Sequence, residues 1–279
     1  MLEADITDLE QLRPAFEGMD SVLHHAAIPS VPRSIQDPIT TNQNNVQGTL
    51  NVLVAARDAA VKRVVYAASS SAYGDTPTMP KVETVMSNPI SPYAVTKFAG
   101  EMYAKVFTEV YSLETVSLRY CNVFGPRQDP ASPYSGVLSL FITAPLRGMS
   151  PTVNGDGEQS RDFTFVSDAA QATLLTRTAP AVTGTMFNVA TGGRYTLNQT
   201  LAHLRRIIGS YLKPVYSTPR PGDVSHSQAD ITLARQLLGY EPDFLLMKGW
   251  RELLNGIELT GTSFSTPGTE ARPSLLAAV

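Results

Sequence analysis

The feature that most constrains the fold is an alternation of short, β-branched apolar runs with longer amphipathic segments. We predict strands over four of these runs: residues 21–27, 63–68, 115–120 and 185–190. We predict helices over three of the amphipathic segments: residues 42–60, 92–111 and 167–178. Strands and helices in this order are typical of βαβ units, which assemble into a parallel sheet covered by helices.

Composition and charge exclude several classes of function. The chain has 279 residues, 43% of them hydrophobic, which suits one large domain or a large domain with a smaller one. Its 22 basic and 25 acidic residues form no runs, so we predict no nucleic-acid partner. Cys121 is the only cysteine, which excludes an internal disulfide framework and suits a reducing compartment. We predict a cytoplasmic protein, because no basic leader or membrane-length apolar run is visible.

A pair of residues on the predicted helix 92–111 could carry acid–base chemistry. Ser91 and Pro92 form a favourable helix start, with Ser as N-cap and Pro at the first helical position. Tyr93 and Lys97 are four residues apart and therefore share one helix face. An ammonium near a phenol favours the phenolate and lowers its pKa, which makes a general base. The spacing alone is a weak signal, since a solvated lysine beside a half-buried tyrosine gives the same pattern.

A cluster of hydroxyl groups strengthens this interpretation. The sequence SSSAYG begins at Ser69, where the predicted strand 63–68 ends. Open α/β sheets bind ligands at the carboxyl ends of their strands. We therefore expect a serine of this cluster to hydrogen-bond the reacting hydroxyl of a substrate.

The segments SSSAYG, SPYAVTK and RYCNVFGPRQDP, in this order and spacing, resemble extended short-chain dehydrogenases/reductases that act on nucleotide sugars. The resemblance covers about residues 5–250 and is closest to the UDP-N-acetylglucosamine 4-epimerase branch. It implies a Rossmann-type α/β fold with a parallel sheet and a smaller α/β substrate-binding part. It also implies NAD as cofactor, a UDP-sugar as substrate and a homodimer formed through helices 42–60 and 92–111.

The same resemblance assigns the reaction. Ser69 takes the place of the catalytic Ser/Thr, Tyr93 that of the base and Lys97 that of its activator. Tyr93 would remove the proton of the sugar 4-hydroxyl while C4 gives hydride to NAD, and hydride would return to the other face of the keto sugar. Related 4,6-dehydratases carry an acidic pair where this chain has Ser70 and Ser71, so dehydration is the weaker alternative.

The resemblance also implies ligand-binding residues. Seven residues match substrate-binding positions: Ser70, Ser71, Asn122, Arg161, Arg220, Asp223 and Ser227. Ser227 is small where a bulky residue would close the sugar pocket, which implies tolerance of N-acetylated sugars. Eight residues match cofactor-binding positions: Asp5, Ile6, Ala26, Ala27, Asn45, Tyr93, Lys97 and Val123. No metal site is predicted, because His24 and His25 have no carboxylate or cysteine cluster around them.

The expected domain organisation follows the family pattern. Residues 1–121 and 163–191 would form a partial NAD-binding domain, residues 122–162 and 192–255 the substrate-binding part, and residues 256–279 a disordered tail. A dinucleotide fold begins with a Gly-rich turn that meets the pyrophosphate, and this sequence has none in the family register. We expect the chain to begin near the family's third strand, strand 21–27 to be an exposed apolar edge, and NAD binding to be weak. A non-catalytic UDP-sugar-binding remnant is therefore a second alternative.

Overall fold

The structure is a computed structural model that describes residues 2–126, 128, 136–243 and 246–259. The strands in these residues are β1 Ser21–His24, β2 Arg63–Ser69, β3 Glu114–Tyr120, β4 Val123–Phe124, β5 Thr152–Asn154, β6 Ser160–Arg161, β7 Thr164–Phe165, β8 Met186–Val189, β9 Tyr195–Thr196 and β10 Val215–Ser217. The helices are α1 Leu9–Phe16, α2 Val31–Gln36, α3 Pro38–Asn42, α4 Gly48–Asp58, α5 Pro92–Tyr111, α6 Val137–Leu146, α7 Val166–Thr178, α8 Leu197–Ile208, α9 Thr232–Leu238 and α10 Leu246–Leu259.

The main sheet is parallel, with strand order β1-β2-β3-β8. All four predicted strands are present, and the predicted parallel α/β fold is confirmed. The central strands β2 and β3 are buried along almost their whole length, as their β-branched sequences predict. Because parallel strands end at one edge of the sheet, Ser69 and Tyr120 pair directly there. The two segments that follow these strands therefore meet at the carboxyl edge.

The strand β1 forms one side of this sheet. Within the described residues it pairs with β2 alone, and Leu23 is 38% exposed. The expected exposed edge is thus present. The strand also ends at His24 and not at Ala27, so the residues that follow it leave the sheet.

The helix expected over residues 42–60 begins earlier and is interrupted. The carboxylate of Asp37 caps α3 by accepting a hydrogen bond from the Thr40 N–H at 3.0 Å. A π-helical turn, Gln43–Gln47, then joins α3 to α4. Gly48 begins α4, and a Cβ there would lie 2.5 Å from Ile6 Cδ1, so the glycine allows Ile6 to approach the helix closely. By contrast, α5 has the predicted bounds, and Ser91 caps it through the Ala94 N–H at 3.2 Å.

A second apolar core lies apart from the sheet. Its buried residues come from β4, β5, β7, α6, α8 and α10 and from Phe163 just before β7, and Trp250 packs near Phe163, Tyr195 and His203. The expected tail begins at residue 256, whereas α10 continues to Leu259, and Trp250 and Leu253 of this helix belong to the second core. The rest of the expected tail, residues 260–279, lies outside the described residues. The exact domain boundaries stay a prediction.

In the described portion of the chain, every helix is too short or too polar to cross a lipid bilayer. The same residues contain no group of three or more His, Cys, Asp or Glu side chains arranged to hold a metal ion.

Candidate active site

A cavity of about 570 Å³ opens at the carboxyl edge of the main sheet. This volume lies in the range of small-molecule sites. The cavity brings together residues that are far apart in sequence and that were singled out above: Ala27, Ser69, Ser70, Ser71, Tyr93, Lys97, Asn122, Val123, Arg161, Asp223 and Ser227. We call it the sugar cavity.

The Ser69 hydroxyl is held at the mouth of a tight turn. Ser71 donates two hydrogen bonds to Ser69 Oγ, from its N–H at 3.2 Å and from its hydroxyl at 2.8 Å. Because Ser69 Oγ accepts both of these bonds, its own proton is free to be donated elsewhere. The Ser69 hydroxyl interacts with Tyr93, because a side-chain hydrogen bond between the two acts to lower the pKa of the Tyr93 phenol.

Tyr93 lies in the first turn of α5, where Ser91 fixes the helix start. Burial raises the pKa of the Tyr93 phenol above its ordinary value, and the hydrogen bond with Ser69 opposes this rise. The sequence-based expectation of a lowered pKa is therefore wrong for the protein without ligands. Burial favours the neutral phenol, and Lys97 does not reverse this effect.

The Lys97 ammonium has a different partner. It donates a hydrogen bond to the Ala67 carbonyl oxygen at 2.8 Å and lies 5.2 Å from the centre of the Tyr66 ring. Burial lowers the pKa of Lys97 to about 8. This lysine therefore connects α5 to β2. With this pKa, its amine is mostly but not completely protonated at neutral pH.

A second cavity of about 600 Å³ continues from the first, and Arg161, Asp223 and His226 line both. Arg220 lies in its wall. Arg161 donates to two carbonyl oxygens, that of Ser160 at 2.9 Å and that of Ser225 at 3.3 Å. Burial lowers the pKa of Arg161, whereas the charge of Asp223 raises it. Guanidinium groups in this arrangement are suited to bind a diphosphate.

Two short polar residues, Asn122 and Ser227, form part of the wall of the sugar cavity. Asn122 has a positive φ of 37°, a conformation that Asn tolerates better than most residues, and its amide donates to the Asp162 carbonyl at 2.9 Å. Ser227 donates its N–H to the Ser160 carbonyl at 3.0 Å and lines the sugar cavity. Both backbones are fixed, so the space beside them depends on the small size of these side chains.

A third cavity, of about 620 Å³, lies on the other side of Ala27. Asp5, Ile6, Ala26 and Ala27 line it, as expected for one extended ligand site, and Ala27 also lines the sugar cavity. Asn45 is placed differently: its buried amide donates to the Ile28 carbonyl at 3.2 Å and to Thr96 Oγ1 at 3.0 Å. It connects the chain after β1 to α5, behind the cavities.

The polar residues of the sugar cavity that the sequence analysis missed include Lys81, Gln128 and His226. His226 Nδ1 lies 2.9 Å from Ser160 Oγ, at the junction of two cavities. Its position next to Ser227 in sequence could have indicated it. Lys81 carried no comparable signal, because its contact with Thr76 is made within an irregular segment.

Comparison with known proteins explains the arrangement. The family model described as the NAD dependent epimerase/dehydratase family matches residues 1–190. The chain belongs to this family. A putative UDP-glucose 4-epimerase of Methanocaldococcus jannaschii is 35% identical over 256 residues, which are 91% of this chain and 82% of that protein. A UDP-glucose 4-epimerase of Mycolicibacterium smegmatis is 37% identical over 251 residues, covering 89% of this chain and 78% of that one.

Solved structures of family members agree with the fold. A Thermotoga maritima UDP-glucose 4-epimerase with UDP-glucose has a TM-score of 0.89 and 36% identity, covering 92% of this chain and 84% of that one. A UDP-N-acetylglucosamine 4-epimerase of Methanobrevibacter ruminantium, in complex with UDP-N-acetylmuramic acid, has a TM-score of 0.87 and 38% identity. That match covers 92% of this chain and 82% of the other.

The family's cofactor is NAD, and the described residues fit such a ligand. NAD is extended, and the sugar cavity and the third cavity share Ala27 in their walls. The third cavity presents the apolar Ile6, and the sugar cavity presents the hydroxyl and ammonium groups of Tyr93 and Lys97.

Proposed function

We propose that this protein is a 4-epimerase of UDP-hexoses and that it interconverts UDP-N-acetylglucosamine and UDP-N-acetylgalactosamine. The observation that carries the proposal is the meeting of Ser69, Tyr93 and Lys97 at one end of the sugar cavity. The guanidinium of Arg161 lies at the other end, in the wall shared with the second cavity. A sugar held between these ends would present its hydroxyls to Tyr93 and its diphosphate to Arg161.

The proposed chemistry divides between the chain and its cofactor. When bound, NAD supplies the reversible acceptance of hydride from sugar C4. Tyr93 takes the proton of the 4-hydroxyl and later returns it to the same oxygen. Ser69 keeps its proton and donates a hydrogen bond to that oxygen, because both of its acceptor positions are filled by Ser71. Lys97 places a positive charge next to the phenol and stabilises the phenolate while it exists.

Binding roles follow from the cavities. For the UDP-sugar we propose Ser70, Ser71, Asn122, Arg161, Arg220, Asp223 and Ser227. For NAD we propose Asp5, Ile6, Ala26, Ala27, Tyr93, Lys97 and Val123, with Asn45 acting from behind the site through Ile28 and Thr96. Each of these assignments is testable by substitution, since the side chains other than Asn45 line a described cavity.

The preference for N-acetylated sugars rests on small side chains in the wall of the sugar cavity. Ser70, Cys121 and Ser227 lie together there, and side-chain hydrogen bonds from both serines act on the Cys121 thiol. The three side chains are small, so a 2-acetamido group can occupy the space beside them. A larger residue at position 227 would fill that space.

The first experiment measures turnover of UDP-N-acetylglucosamine and UDP-glucose with added NAD, using chromatography to separate the epimers. We expect both to be converted by the unchanged chain and neither by Tyr93→Phe. Ser227→Tyr is the matched variant for specificity. It should lower kcat/KM for the acetylated sugar by about 5- to 30-fold, which corresponds to a steric clash of about 1–2 kcal/mol, and leave UDP-glucose nearly unaffected.

The same assay separates the competing functions. Loss of water from the sugar, seen as a 4-keto-6-deoxy product, would favour a dehydratase. Tight binding of UDP-sugar without any conversion would favour a non-catalytic remnant. Conversion that persists in Tyr93→Phe would contradict the assignment of Tyr93 as the base.

We also propose that the protein is a homodimer. One face of α5 carries exposed apolar side chains at helical spacing: Val95, Met102, Tyr103, Val106 and Val110. A stripe of this kind is typical of an interface and costs solubility when it is left in water. Sedimentation analysis should give a dimer for the unchanged chain and a monomer for Val106→Asp.

A further inference from the structure

A buried ion pair lies beneath the catalytic residues and outside the cavities. Arg119, on β3, is 2% exposed and makes a bidentate contact with the carboxylate of Glu101 on α5. Its Nε donates to Glu101 Oε2 at 2.8 Å and one terminal nitrogen to Oε1 at 2.7 Å. The same terminal nitrogen donates to Ser87 Oγ at 2.8 Å. The guanidinium is therefore fixed in both position and orientation.

Arg119 touches both segments that carry the proposed catalytic groups. Glu101 is four residues after Lys97, so the two side chains lie on one face of α5, one turn apart. On its other side, the guanidinium lies 4.3 Å from the centre of the Tyr73 ring. Tyr73 ends the short turn that begins at Ser70, directly after Ser69. We call residues 69–73 the serine turn. Arg119 thus contacts both the serine turn, through Tyr73, and the helix that carries Tyr93, through Glu101.

The turn is also held from below. The Tyr73 hydroxyl donates to Asn188 Oδ1 at 2.8 Å, and the Asn188 amide donates to the carbonyls of Lys81 and Asp230, both at 3.0 Å. The Tyr73 ring therefore cannot move away from the guanidinium without breaking buried hydrogen bonds. A change in the shape or charge of the side chain at position 119 should therefore shift Glu101 or the serine turn.

We propose that Arg119 is a positioning residue, which sets the distance between the Ser69 hydroxyl and the Tyr93 phenol. It does not line the sugar cavity and so acts only through Glu101 and Tyr73. A buried ion pair is a poor means of stabilisation, because desolvation of both charges offsets much of their attraction. A bidentate pair does, however, fix geometry. This inference rests on the proposed function, since the distance matters for proton transfer.

The test compares two arginines on neighbouring strands. Arg119→Lys keeps the positive charge but loses the bidentate contact. Arg63→Lys is the matched control: Arg63 is also buried and also pairs with a glutamate, Glu114, but it lies at the opposite, amino end of the sheet. Both variants should lose thermal stability. Only Arg119→Lys should lose kcat, by about 10²-fold for a misplacement near 1 Å, with KM changed less than about twofold.

A second readout does not depend on turnover. The full chain is labelled with ¹³Cζ-tyrosine, and the Tyr93 resonance is assigned by its loss in Tyr93→Phe. Since hydrogen bonding to the phenol changes this chemical shift, we expect it to move in Arg119→Lys and to stay in place in Arg63→Lys. Glu101→Gln, which keeps the shape of the partner, should move it in the same direction by a smaller amount.

The outcomes separate the two claims. Equal losses of kcat and equal Tyr93 shifts in Arg119→Lys and Arg63→Lys would overturn the positioning role, because a purely structural arginine behaves in this way. If the unchanged chain converts no UDP-sugar, the proposed function fails, and the Tyr93 resonance still decides whether Arg119 sets its environment. Should Arg119→Lys not fold, Glu101→Gln decides by the same resonance: an unmoved Tyr93 signal refutes the proposal.

Discussion

Replacing the buried carboxylate of Asp162 should destabilise the protein by about 1–3 kcal/mol. Asp162 is fully buried and accepts hydrogen bonds at both oxygens. Oδ1 accepts from the N–H and the hydroxyl of Thr191, at 3.0 and 2.7 Å. Oδ2 accepts from the N–H groups of Gly192 and Ala229, at 3.1 and 3.3 Å. The carboxylate therefore joins the loop after β8 to the segment that carries Ser227.

The magnitude follows from counting donors in Asp162→Asn. The amide NH₂ cannot accept, so it must replace one of the two oxygens. On the Oδ2 side it would face two backbone N–H groups, which have no freedom to turn. On the Oδ1 side it can donate to the Thr191 hydroxyl, which must then turn its own proton away, and the Thr191 N–H is the fixed donor that loses its acceptor. One buried donor without a partner costs about 1–3 kcal/mol.

Urea unfolding followed by circular dichroism measures this loss. Asp75→Asn is the control, because Asp75 also accepts two bonds, from the Ser225 N–H and hydroxyl, both at 2.8 Å, but is exposed. There the hydroxyl can turn to accept from the amide, so we expect a loss below about 1 kcal/mol. If Asp162→Asn and Asp75→Asn have the same unfolding free energy, the reasoning from fixed donors is refuted.

Two further predictions concern acid stability and catalysis. Burial holds the pKa of His24 at about 3, so below about pH 6.5 the unfolded chain binds a proton that the folded chain does not bind. The free energy of unfolding should therefore decrease by about 1.4 kcal/mol for each unit by which the pH is lowered from about 6 to about 4. In His24→Gln this decrease should be less steep. Parallel slopes for the two proteins in urea titrations would contradict this. Ser69→Ala should lower kcat by about 10²-fold with little change in KM, because Ser69 acts on the reacting oxygen; an unchanged kcat in steady-state assays would exclude that role.

The sequence predicted the central strands well because β2 and β3 are buried on both faces, and apolar runs such as Arg63–Ser69 are typical of buried parallel strands. It predicted α5 to the residue, since Ser91 and Pro92 specify a helix start by local chemistry. The helix over residues 42–60 was harder. Its interruption is a π-helical turn, Gln43–Gln47, which the apolar spacing of the segment does not indicate.

The candidate site shows the same division between local and long-range information. Motif order indicated that Ser69, Tyr93 and Lys97 belong together, and one cavity contains all three. The pKa of Tyr93 could not be predicted from spacing, because it depends on burial and on where the Lys97 ammonium points. The role of Arg119 was invisible for a similar reason: nothing local in β3 indicates a partner on α5 or a ring in the serine turn.

The second core contains the only tryptophan of the chain. Trp250 is fully buried there, and it lies on α10, more than 110 residues after the first members of that core at Phe124 and Leu138. During synthesis this core can therefore form only after Trp250 has been added, whereas the residues of β1, β2 and β3 are synthesised earlier and can pair before that point. Its fluorescence should consequently report the last stage of folding, and a refolding experiment can time the substrate side of the protein separately from the sheet.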